Sequence, residues 1–134
     1  MIMLFTEKGT LPDGVEFEGK THREFELREQ LVKDTVEFIE NGDPSDIARA
    51  QLSASFAKIA ICTRRLKIGD IPADQLKSAM IMELNQDDMN EINAADIRLQ
   101  NRRAAFRKEH EKPSIEGAGT DETGLQREPD KRDA

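Results

Sequence analysis

The sequence predicts an α+β fold that is mostly α: an N-terminal β-hairpin followed by about four helices, in one domain over residues 1–111, with a disordered C-terminal tail at 112–134. Three observations carry that reading. Between Leu11 and Leu27 the large apolar residues (Leu11, Val15, Phe17, Phe25, Leu27) sit on odd positions only, the two-residue period of a strand with one apolar face. From Leu31 to Phe106 they recur at steps of three and four instead, the period of amphipathic helices. From Lys112 onward the chain is rich in Gly, Pro and charge, with Ile115 and Leu125 as its large apolar residues. Such a segment buries too little surface to offset chain entropy.

The hairpin raises a parity problem. A two-residue loop at Glu18-Gly19 pairs Phe17 with Lys20 and Val15 with His22, which puts Val15 and Phe17 on one face and Phe25 and Leu27 on the other. An odd loop keeps all of them together. The expectation is therefore a three-residue loop with Gly19 left-handed and a bulge. Pro12-Asp13-Gly14 marks an earlier turn. An isolated hairpin is marginal in water, so its apolar face must lie on something else.

In the first helix, Leu31, Val32, Thr35, Phe38 and Ile39 form one stripe, and Asn41-Gly42 ends it. Asp43-Pro44 opens a second helix, with Asp43 as cap and Asp46 in the first turn. Read as continuous from Pro44 to Arg65, this helix has two apolar sides. Ile47, Ala50, Ala54, Ala57 and Ile61 make a flat face of mostly small residues; Ala48, Leu52, Phe56 and Ile59 make a bulky one. A helix apolar on two sides is central in its domain or shared with a partner. Arg64, Arg65 and Lys67 fall near its C-terminus, where cations are favoured. Gly69 and Pro72 break the chain before a third helix starting near Ala73, with Leu76, Met80 and Leu84 on one side. Asn85 caps the last helix, with Asp88 at its third position, and the run extends to about Glu111. At ~1.5 Å per residue it measures roughly 40 Å, so its C-terminal part is expected to project from the core or to pack on a second subunit. Ile92, Ala95, Leu99 and Phe106 hold one face of it, with Arg102 and Arg103 between the last two.

Composition narrows the function classes. A net charge of −7 disfavours global nucleic-acid binding. One cysteine, Cys62, rules out an internal disulfide or a cysteine metal cage and suits a reducing, cytoplasmic setting. Met1–Phe5 is too short for a signal sequence, and no stretch nears the roughly 20 apolar residues of a membrane span. His22 reads as a solvated strand residue, and Cys62 as a small core residue. The acids at the helix starts are expected there for dipole reasons alone. Gly117-Ala118-Gly119 has neither the strand before it nor the Lys-Ser/Thr after it that a phosphate loop needs. Arg98, Arg102, Arg103, Arg107 and Lys108 form the one positive cluster, read as a solvated face or as a docking surface for an acidic partner or nucleic acid. With no nucleophile–base pair and no ligand set, the chain is expected to be no enzyme and to use no cofactor or metal.

The opening stretch resembles the tail assembly chaperones of Mu-like and P2-like bacteriophages and prophages. The likeness rests on Leu11, Pro12 and Gly14, on Gly19-Lys20 in the hairpin turn, and on Leu27-Arg28 at the end of the strand. It continues in the glycine break of "RRLKIGDIPADQL", and in Leu84, Asp87 or Asp88, Ile92 and Ala95 of the closing helix, covering about residues 8 to 110. The resemblance implies a non-enzymatic protein of the bacterial host's cytoplasm. It would bind the long helical tape-measure protein and keep it soluble while the tail tube grows. Our own candidates for the partner-binding surface are Ile47, Ala50, Ala54, Ala57 and Ile61 on the small-residue face, and Leu99, Arg103 and Phe106 on the last helix. A self-assembling structural tail component is the alternative, with a DNA-binding regulator behind it; a homo-oligomer is expected beside the tape-measure partner.

Overall fold

A computed structural model describes residues 4–111; the expected tail at 112–134 lies outside them. The elements run β1 (Thr6–Phe17), β2 (Lys20–Arg28), α1 (Val32–Asn41), α2 (Pro44–Leu52), α3 (Ala54–Arg65), β3 (Leu66–Ile68), a 3₁₀ turn (Ala73–Gln75), α4 (Ser78–Met82) and α5 (Gln86–Glu109). The α+β, mostly helical class is as the sequence predicts. The strands form one antiparallel sheet in the order β1-β2-β3. The short third strand, missed in the sequence, pairs Phe25 with Ile68 and Leu27 with Leu66. The chain divides into two compact units, one ending at Arg102 and the other beginning at Arg103.

The hairpin solves its parity problem differently from the expectation. Its loop is two residues long: Phe17 pairs with Lys20 across Glu18 (φ 51°) and Gly19 (φ 76°). Two successive positive φ values are the type I′ geometry that matches strand twist. The odd number of extra residues lies further along. Thr10 pairs with Glu24 and Val15 with His22, so Leu11–Gly14 bulge opposite Arg23 alone. On β2 the buried set accordingly switches from His22 to Phe25 and Leu27. A bulge bends and twists its strand, and Leu11, Val15, Phe25 and Leu27 all reach one core. Gly14 sits in the bulge at φ 89°, where an added Cβ would meet the His22 carbonyl oxygen at 2.7 Å. Only glycine suits that position without strain.

The main core joins this sheet to Ile71, Leu76, Ile81, Ile92, Ala95 and Leu99. A smaller cluster of Phe38, Phe56 and Ala60 ties α1, α2 and α3 together, with Ile47, Ala50 and Ile61 against it. His22 is buried, not solvated: the Gly69–Asp70 turn covers it, and Nδ1 accepts from the Asp70 N–H at 3.3 Å.

The single second helix is also corrected. Ser53 (φ −141°, ψ 110°) interrupts it, closing α2 and capping α3 by accepting from the Phe56 N–H at 3.1 Å. One non-helical residue resets the angular phase, so the two continuous stripes do not exist as drawn. Leu52, expected on a bulky inner face with Phe56, is 90% exposed, while Phe56 is 4% exposed. In α1 the inward side is Asp34 and Phe38, and Val32 and Ile39 of the expected stripe point to solvent. The expected third helix is reduced to the 3₁₀ turn and the five residues of α4. Asp43 and Asn85 do cap as expected, accepting from the N–H groups of Asp46 (3.2 Å) and Asp87 (2.8 Å).

Candidate functional site

An open groove of about 670 Å³ runs alongside α3. Ala57, Ile59, Ile61 and Cys62 supply its α3 wall, and Met89, Ile92, Asn93 and Asp96 of α5 the facing wall; Thr35 of α1 and Gln30 also border it. Its formation follows from the Ser53 break. Restarting the helix there turns Phe56 and Ala60 inward, which leaves Ala57 and Ile61 half-buried on the adjoining side. A small side chain at Ala57 keeps the wall low.

The groove ends on a polar network that fixes its frame. Arg65, 7% exposed, donates through Nε to the Arg28 carbonyl oxygen (3.0 Å) and through Nη2 to Asp96 (2.7 Å). Arg28 in turn holds Asp34, itself 1% exposed, through both guanidinium Nη atoms, and Asp34 accepts the Leu31 N–H at 2.8 Å as its helix's own cap. Burial pushes the Asp34 carboxyl up, but the Arg28 and Leu31 hydrogen bonds outweigh it and hold the group below its ordinary value. Arg64 adds a bond to Glu37 at 3.0 Å. These contacts tie α1 and α3 to the end of β2 and α3 to α5, beside the apolar packing of Ile59, Cys62, Met89 and Ile92 in the main core and of Ile61 on the smaller cluster.

Burial pushes the Cys62 thiol up to about 11, and a protonated thiol is a poor nucleophile. His22 and His110 are not among the lining residues. Among the described residues no cluster of three His, Cys, Asp or Glu side chains could hold a metal ion, and no helix is long and apolar enough to cross a membrane.

The eight residues proposed from sequence are distributed unevenly. Ala57 and Ile61 line the groove. Ile47 and Ala50 are half-buried against the Phe38–Phe56–Ala60 cluster, and Ala54 is exposed. Leu99 is 1% exposed within the main core and presents nothing to a partner. Arg103 and Phe106 belong to the second unit, where the guanidinium lies 5.1 Å from the ring centroid and the ring stacks on His110 at 4.2 Å. Of the basic cluster, Arg98 and Arg102 each bind Glu7 at 2.8 Å, and Arg102 also lies over the Phe5 ring at 4.5 Å. Hydrogen bonds from Arg98, then Arg102, hold the Glu7 carboxyl below its usual range. These two arginines fasten β1 to α5 rather than forming a free positive face.

Sequence reasoning missed Met89, Ile92 and Asn93 as groove residues because they come from an element far along the chain. It also missed Asp88, which is 0% exposed and accepts from the N–H groups of Asp13 (2.9 Å) and Gly14 (3.0 Å). The acid at the third position of a helix therefore pins the bulge of the hairpin as well. Comparison with protein-family models, curated proteins and solved structures gave no match to this chain.

Proposed function

We propose that the protein is a phage tail assembly chaperone that holds the tape-measure protein soluble in the bacterial host's cytoplasm while the tail tube assembles. The observation that carries this reading is the open apolar groove between α3 and α5. A tape-measure protein is a long amphipathic helix whose apolar face aggregates when uncovered. Ala57, Ile61, Cys62 and Met89 offer a surface on which such a face can lie, in the helix-in-groove manner. The resemblance at Leu11–Arg28 and Leu84–Ala95 supports the same reading. A net charge of −7 favours solubility of the complex.

The test is co-expression with the neighbouring tape-measure reading frame, using the wild-type chain and Ala57→Arg. The wild type should bring the client into the soluble fraction. The variant should keep its circular dichroism spectrum and lose that effect, because the new guanidinium lies across the groove. A client equally insoluble with and without the wild-type chain would sink the proposal. Full client solubility with a folded Ala57→Arg chain would remove the groove from it.

A self-assembling tail component is the second reading, favoured by the exposed Leu52 of α2, which the groove does not include. A fixed ring at low micromolar concentration in sedimentation would support it over a chaperone. The DNA-binding reading has less to draw on, since Arg98 and Arg102 are engaged by Glu7.

A further inference from the structure

The outward side of α1 carries an aliphatic row with no cover. Val32 is 84% exposed, Val36 44% and Ile39 59%. Their spacing of four and three is that of a two-helix seam. They lie opposite Asp34 and Phe38, the residues that anchor α1 to its own chain. On one flank of the row stand Lys33 and Glu40, seven residues apart, both exposed.

We propose that this row binds the same row of a second copy, the two α1 helices crossing antiparallel about a two-fold axis between Val36 and Ile39. The charges select the occupant and the direction. Antiparallel pairing centred near residue 37 brings Val36 and Ile39 of the second copy, and likewise Lys33 and Glu40 of the second copy, within about one helical rise (~1.5 Å) of level, each twice by symmetry. A parallel in-register pair sets Lys33 level with Lys33 and Glu40 level with Glu40, and offers no opposite-charge contact. The same patch thus complements itself, as a two-fold interface requires. A stable interface buries roughly 800 Å² per partner; three aliphatic side chains on a helix of ten residues supply less. The pairing is therefore reversible and concentration-dependent. Being two-fold, it closes at two copies and builds no ring. It does not depend on the client-binding reading, because the row and the α3–α5 groove share no residue.

Sedimentation velocity on the full chain from micromolar to millimolar concentration tests this, with circular dichroism confirming the fold of each variant. The wild type should shift from monomer to dimer. Val36→Glu should stay monomeric throughout the range. Lys33→Glu should weaken dimerisation at least tenfold, and adding Glu40→Lys should restore it at low salt, because the swapped pair is again complementary. A wild type that remains monomeric at the highest concentration overturns the proposal. So does a folded Val36→Glu chain that still dimerises, or a Lys33→Glu/Glu40→Lys chain no better than Lys33→Glu.

Discussion

Replacing Asp88 by alanine separates two accounts of an acid at a helix start. If the carboxylate serves only the helix dipole, its removal costs about 0.3–1 kcal/mol. The structure assigns it more. The side chain is 0% exposed, and its two oxygens accept the Asp13 and Gly14 N–H groups at 2.9 and 3.0 Å. Hydrogen bonds to a charged acceptor contribute about 1.5–3 kcal/mol each. Asp13 is exposed and Gly14 half-buried, so water returns part of the loss, and the expectation for Asp88→Ala is about 3–5 kcal/mol in all. Asp88→Asn keeps one acceptor but turns an NH₂ toward the other N–H, and should lose about 2–4 kcal/mol. For a slope of about 2 kcal/mol per molar urea, Asp88→Ala lowers the unfolding midpoint by roughly 2 M. Urea titration followed by circular dichroism reads this, and amide exchange at Asp13 and Gly14 should accelerate first. A loss under about 1 kcal/mol at unchanged slope would refute the clamp and leave the dipole account standing.

Two further expectations concern the groove's frame. The Asp34 carboxyl is held below its ordinary 3.8 in the folded chain, so its ion pair stabilises fully above that value and the stabilisation is lost as pH falls through the lowered one. Asp34→Asn should therefore cost about 2–3 kcal/mol near neutral pH, since Arg28 is part-exposed and keeps some solvation; the gap to wild type should narrow in acid below pH 4, and a gap constant from pH 7 to 2.5 would contradict the assignment. Cys62, raised from 9.0 to about 11, should react with an aromatic disulfide at pH 8 about a hundredfold more slowly in the folded chain than in urea, and equal rates would show the thiol open to solvent.

What the sequence disclosed, and what it hid, follows from the range of each interaction. The hairpin set Leu11, Val15, Phe25 and Leu27 was legible because strand alternation is local. Even the need for an odd number of inserted residues was legible; its location was not. Glu18-Gly19 suits a two-residue turn, and the bulge at Leu11–Gly14 is held by Asp88, more than seventy positions away. The caps at Asp43 and Asn85 act over two or three residues and were read correctly. The Ser53 break was not, because one capping serine within an alanine-rich run looks like helix interior until its φ is known. From that one residue came the wrong partition of Leu52 and Phe56. Polar residues misled in the other direction. Asp34 shows no signal in the sequence and Arg65 reads as a cation suited to a helix C-terminus, yet both are buried because they find Arg28 and Asp96, and only the tertiary arrangement supplies those partners.

The same burial of charge explains why apolar residues remain outside. In α1 the inner face is taken by Asp34 and Phe38, so Val32, Val36 and Ile39 are left to solvent. In α3 Phe56 and Ala60 go fully inside, while Ile59 and Cys62 pack against the main core and Ile61 against the smaller cluster, all three half-buried beside the groove. Replacing the Arg28–Asp34 pair with a matched apolar pair would often be neutral or stabilising in a buried setting, which makes the pair a poor choice if stability alone were the requirement. Its effect here is to fix α1 and α3 by a few directional contacts while leaving their oily faces open. The main core around β2 and α5 has no such surplus, since Leu11, Leu27, Ile68, Ile92 and Leu99 are all at or below 1% exposure. Uncovered aliphatic surface is thus prominent on α1, whose anchoring residues, Asp34 and Phe38, differ from its outward ones, Val32, Val36 and Ile39.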